Sequence, residues 1–234
     1  MTSLHRTADP VTRSTSASAE DAGAARRASR MFLGSFVGFV GIVITSAAVD
    51  SARDTAQREA ADELDVNLNH LPADVLARIL QEDSSTVATV LNLVFATISV
   101  VLFAAAIHAL VGVPGARGAV ARGAVALAVV GGLSWLGMNA AELALRSEPG
   151  WLMDNWWIYM TLVAVFVIAA CLALMTAVAC LWGTGRARRT GIVVIAICAL
   201  TIVAQLTVNA PPIVPMLLGA IYAFNVARAV RTAA

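Results

Sequence analysis

The chain contains no lysine, and all 16 of its basic residues are arginine. With abundant Ala and Val, this bias points to a source genome rich in G and C, not to a function. Charge of either sign is scarce: Asp, Glu, Lys and Arg make up 13% of the chain, against roughly 25% in a soluble domain. Cysteine is rare too. Cys171, Cys180 and Cys198 follow no CxxC spacing and all fall in apolar runs, so they read as small packing residues. No expected outer loop holds a cysteine, which argues against a structural disulfide there. No nucleotide, nucleic-acid, metal or catalytic motif is visible, including the D-x-D-x-D-G pattern of a calcium loop. The expectation is therefore no cofactor, no metal and no nucleic-acid partner.

What the chain has instead is apolar length. Hydrophobic residues make up 59% of it, mean hydropathy is +0.79, and the apolar residues come in long runs. A run of about 18 or more apolar residues is long enough to cross a bilayer as a helix. Six such runs are expected, at about 31–49, 87–112, 119–145, 157–182, 190–208 and 212–229. The fold class that follows is all-α, a polytopic transmembrane helix bundle with one acidic external loop containing short helices. The last two runs are short and are separated by Asn209, Ala210, Pro211 and Pro212. Proline is tolerated at a helix start, so a tight hairpin fits there; a re-entrant pair that does not cross is the alternative.

The arginines orient the bundle. With the N-terminus inside and the runs alternating, 12 of the 16 arginines fall in inner segments. The four outer ones are Arg53, Arg58, Arg78 and Arg146. Cytoplasmic loops collect Lys and Arg, so six spans with both termini inside is the consistent solution. Trp151, Trp156, Trp157 and Tyr159 sit at the outer start of the fourth run and Trp182 at its inner end, where amphipathic rings anchor at the headgroup level. The expected location is the cell membrane.

Residues 1–30 are rich in Ser, Thr, Ala and Arg with few large apolar residues, which predicts a disordered cytoplasmic tail ahead of the bundle at 31–234. The first run has the basic flank of a signal peptide, but its apolar stretch is longer than the usual 7–15 residues, so an uncleaved anchor is expected. Gly34 and Gly38 form a GxxxG, with Gly41 following. This permits close packing on another helix, or across a homodimer. A five-residue tandem, Ala-Arg-Gly-Ala-Val, occupies 116–120 and again 121–125.

The loop at 50–86 holds nine acidic residues against Arg53, Arg58 and Arg78, a net charge of −6. One helix is expected from Ser51 to about Leu64, continuing the first span, and another from Pro72 to about Glu82 with Val75, Leu76, Ile79 and Leu80 on one face. The loop is a solvated cap over the helix ends, a contact for a membrane or extracytoplasmic protein partner, or an acidic cluster that collects cations weakly. Asp62, Asp65 and His70 have no metal-ligand spacing of note.

Polar residues inside the spans are the remaining candidates, because the bilayer makes them costly. Trp135, Asn139, Glu142 and Arg146 fall on one face of the third span. Asn92, Gln205 and Asn209 lie at similar height toward the outer side. If they converge, Asn92, Asn139, Glu142, Arg146 and Gln205 line an outward polar pocket. His108 lies near the opposite face and reads as a helix–helix hydrogen bond or a proton relay. There is no midplane carboxylate for ion coupling, no inverted repeat and no paired catalytic group at depth. The expected function is a non-enzymatic accessory, structural or sensory component. A small-solute transporter or channel subunit is the alternative, and an intramembrane enzyme comes last.

Overall fold

A computed structural model describes residues 10–67, 71–72, 74–75, 78–79, 86–113, 118–144, 156–182, 187–208 and 212–232. Among them there are helices and turns but no strand. We number the long helices α1 (Pro10–Glu63), α2 (Thr86–Val111), α3 (Ala119–Ala144), α4 (Trp156–Trp182), α5 (Arg188–Val208) and α6 (Val214–Thr232). Among the described residues, five segments are long and apolar enough to cross a membrane: Glu20–Ala48, Val90–Val111, Ala119–Ala141, Trp157–Trp182 and Arg188–Thr207. The outward faces are apolar as well. Val193, Leu200, Val203 and Leu206 of α5 and Val130 and Leu133 of α3 are all more than half exposed. A contiguous apolar exterior of this kind is foreign to a monomeric soluble protein and compatible with a multi-pass membrane protein.

The sixth expected span falls outside that set. α6 has 19 residues, and Asn225, Arg228 and Arg231 in its last turns lower its hydropathy. The expected tail at 1–30 also differs, because α1 is already helical at Pro10. Within residues 20–30, Asp21, Ala22, Ala25 and Ala28 are buried. Buried positions continue along α1 as Phe32, Ser35, Phe39 and Ile42. From Asp21, through Ala25 and Ala28, the spacing alternates four and three, the period of a coiled-coil seam. Alanine and serine on that seam bring neighbouring backbones close, which is how helices gain contact where lipid tails are as apolar as leucine.

At 54 residues, α1 is about 81 Å long, well beyond a hydrocarbon core of roughly 30 Å. The expected extension past residue 50 is continuous with it. Its C-terminal end is closed by a turn in which Val66 N–H donates to Ala61 O (3.0 Å) and Asp65 N–H donates to Asp62 O (3.3 Å). Asp65 takes φ 50° there, the left-handed cap usually given to glycine. The second expected outer helix is described at 74–75 and 78–79, where it is helical.

The helices pack in chain order and antiparallel. α1 lies between α2 and α6; α3 packs on α2 and α4; α5 packs on α4 and α6. α4 is the hub, touching α2, α3, α5 and α6. Ser35 meets Ser99 while Asn92 meets Thr45 and Ser46, which sets α1 against α2 in opposite directions. Ser29 bonds Ala220, and the Phe32 ring covers Gly219, which does the same for α1 and α6. Gly34 and Gly38 are used inside the chain. A Cβ on Gly34 would meet Leu102 at 2.9 Å, and one on Gly38 would lie 3.3 Å from the Ser99 backbone nitrogen and the Phe95 carbonyl oxygen. The core is threaded by aromatic contacts: Phe32 to Phe103 edge-on (centroids 5.5 Å apart), and Phe39 to Trp135 to Phe166 at 5.6 and 4.8 Å.

Candidate functional site

Inside a bundle that excludes water, each polar side chain must find a protein partner or leave a group unpaired. In α1 and α2 they find each other. Ser35 Oγ donates to Ser99 O at 2.7 Å, and Ser99 Oγ donates to Ser35 O at 2.8 Å, both fully inside the bundle. Thr45 hydroxyl bonds Asn92 Oδ1, and Asn92 Nδ2 donates to Ser46 Oγ at 3.2 Å. Between α3 and α4, Ser134 Oγ donates to Leu162 O at 2.9 Å. Ser29 Oγ donates to Ala220 O of α6 at 3.1 Å. Hydroxyls thus link three helix pairs, α1–α2, α3–α4 and α1–α6, by bonding backbone carbonyls, an amide or one another.

The residues expected to line an outer pocket are distributed differently. Asn92 turns to α1, as above. Asn139 is buried, and its Nδ2 donates back to Trp135 O at 2.8 Å on its own helix. Gln205 is buried on α5, which does not count α3 among its packing neighbours. Glu142 belongs to α3, but its side chain lies outside the described residues, as does Arg146. Among the described members, then, Asn92 turns to α1, Asn139 bonds its own helix, and Gln205 stands on a helix that does not count α3 among its packing neighbours. Height along the span was shared; the direction each side chain faces was not. Near Asn139, Trp135 Nε1 is buried without a hydrogen-bond partner.

A cavity of about 550 Å³ sits at the other end, where α2 finishes and α3 begins. Its lining is His108, Val111 and Gly112 from α2 and Gly118, Ala121, Arg122 and Val125 from the start of α3. The size is that of a small-molecule site, which runs roughly 300–1,000 Å³. Two cationic or ionisable groups, His108 and Arg122, meet three apolar ones, and both of the former are exposed. No acidic side chain lines it among the described residues. The sequence marks His108 as a lone in-span histidine and Arg122 as a loop charge. The cavity appears only when the two helix ends meet. Ala121, Arg122 and Val125 all come from the second copy of the Ala-Arg-Gly-Ala-Val tandem.

The bundle separates charge along its length. The end that carries this cavity also carries Arg26, Arg27 and Arg30 of α1, Arg188 and Arg189 of α5, and Arg228 and Arg231 of α6, all exposed. Arg188 lies over the Trp182 ring, 5.4 Å from its centroid. The opposite end carries Asp54, Glu59, Asp62, Glu63, Asp65 and Asp74, with an Asp54–Arg58 ion pair at 2.9 Å. No group of three or more metal-ligating side chains occurs among the described residues. Neither a family model, nor a curated protein, nor a solved structure matches the chain.

Proposed function

We propose that the chain is a six-span protein of the cell membrane, with both termini cytoplasmic, and that it acts as a non-enzymatic accessory or structural component. The observation that carries the reading is the use of its in-bundle polar groups. The Ser35–Ser99, Asn92–Thr45 and Ser134–Leu162 contacts spend hydroxyls and amides on holding helices together rather than on lining a path. α6 serves as the sixth span on length: its 19 residues reach about 28 Å, near the thickness of the hydrocarbon core. Arg228 and Arg231 at its end extend to the headgroups. Arginine at that end and carboxylates at the other support the orientation. The acidic outer segment at 50–86 is the surface offered to a protein partner.

The test is purification of the tagged full-length chain in mild detergent, followed by mass spectrometry of what accompanies it. A stoichiometric membrane or extracytoplasmic protein that is lost on deleting residues 50–86 is the expected result. A chain that purifies alone refutes the accessory reading. It moves weight to a second reading, a small-solute transporter or channel subunit, which the cavity at His108 and Arg122 favours.

A further inference from the structure

The cavity at the α2–α3 end combines three features that share one chemistry. The first is cationic. Arg122 supplies a fixed guanidinium and His108 a ring nitrogen, with no carboxylate among the described lining residues to compete. The second is backbone. The first helical bond of α3 runs from Arg122 N–H to Gly118 O at 3.3 Å. The N–H groups of the residues between them have no acceptor within the helix, and they carry the positive end of the helix dipole. Gly118 (φ 150°) leaves open space where a Cβ would stand, so an acceptor can come close to that backbone. The third is apolar. Val111, Ala121 and Val125 form a greasy wall beside the charged groups.

We propose that this cavity binds a phosphate group, with Arg122 as its principal ligand, the apolar wall taking the carbon skeleton attached to it. The position fits. The cavity lies at the arginine-rich end of the bundle, which is cytoplasmic in the orientation proposed above, and basic pockets between membrane helices on the cytoplasmic side receive anionic headgroups. The volume exceeds what one phosphate needs, which leaves room for a glycerol unit. The same chemistry would hold the phosphate of an anionic phospholipid or a free phosphate. The inference does not depend on the accessory reading above; it holds for a transporter equally.

The full-length chain in detergent is titrated with phosphatidylglycerol and, separately, with diacylglycerol, which has the same carbon skeleton without the phosphate, and retained lipid is read by native mass spectrometry. Phosphatidylglycerol is expected to be held in preference. Arg122→Gln should weaken that retention about ten-fold, the loss of one charge-assisted contact. Arg228→Gln, at the same end but outside the cavity, should change it less than about two-fold. Arg122→Lys keeps the charge without the fork and should fall between. Inorganic phosphate is the second probe. If it displaces the lipid, and its own binding depends on Arg122, the occupant is free phosphate; if it does not compete, the occupant is the lipid. Both results support the site. Equal retention of the two lipids, or equal loss in Arg122→Gln and Arg228→Gln, overturns it and leaves only a diffuse basic belt. If Arg122→Gln alters the elution profile, His108→Gln carries the same test.

Discussion

Replacing Gly219 by alanine adds one methyl group to α6, and its effect follows from what that methyl meets. A Cβ there would stand 2.6 to 2.8 Å from three ring atoms of Phe32. Phe32 cannot swing away freely. It is fully buried, and its other side is held edge-on by Phe103. Overpacking of this kind costs about 1–3 kcal/mol. Against it, alanine is the better helix former by about 0.5–1 kcal/mol. The clash wins, and the net is a destabilisation of about 1–2 kcal/mol. For a chain of this size that lowers Tm by roughly 2–8 °C. The assay is thermal unfolding in detergent, followed by intrinsic tryptophan fluorescence. Gly137→Ala is the control, because nothing lies within 4 Å of a Cβ at that position of α3. It should be neutral or slightly stabilising. Phe32→Leu, combined with Gly219→Ala, should show a strong positive coupling, since removing the ring removes the clash. A Gly219→Ala protein as stable as the parent would refute the packing of α1 on α6.

Three other outcomes are expected. Gly23 lies in α1 with open space around a Cβ, so Gly23→Ala should raise stability by about 0.5–1 kcal/mol, and no change would show that the helix does not extend through residues 20–30. Ser99→Ala removes a buried interhelical hydrogen bond and should lower stability by about 0.6 kcal/mol, with about 1.7 as a ceiling. Thr97→Ala, whose hydroxyl bonds only its own helix at Leu93 O and is exposed, should not, and equal losses in both would remove the special role of the Ser35–Ser99 pair. Asp65→Gly relieves a left-handed carboxylate-bearing residue at φ 50°, and should slow hydrogen exchange in the last turn of α1 by up to about five-fold, or about 1 kcal/mol. Faster exchange would mean that the Asp65 side chain itself stabilises the turn.

Much of the fold can be read in the sequence, for an identifiable reason. α2 to α5 are uninterrupted apolar runs bounded by Gly, Pro and Arg, so their limits fall within a few residues of the expected ones. The first half of α1 is different. Its seam at Asp21, Ala25 and Ala28 is made of residues too small or too polar to register as apolar, although the alternating four and three spacing was there to find. α6 shows the reverse problem. Three polar residues near its end pull down its hydropathy while Tyr222, Ala223, Val226 and Ala227 bury a full face.

The candidate sites were less legible. Asn92, Asn139 and Gln205 share a height along the spans, but a polar side chain takes its partner from the helix it faces. Asn92 faces α1, where Thr45 and Ser46 already offer hydroxyls. Asn139 satisfies itself on Trp135 O. The cavity at His108 and Arg122 leaves no pattern in one dimension, because it is built from two helix ends that meet only in the folded bundle.

The side of the membrane that each end of the bundle occupies decides between the six-span arrangement and its alternatives. Cys171, Cys180 and Cys198 would be changed to alanine, and a single cysteine placed by Asp65→Cys or by Arg228→Cys. Intact cells would then be treated with a membrane-impermeant maleimide. Labelling of Asp65→Cys in intact cells, with Arg228→Cys labelled only after permeabilisation, is the predicted result. Arg228→Cys labelled from outside, or Asp65→Cys labelled only from inside, would contradict the six-span arrangement and its orientation together.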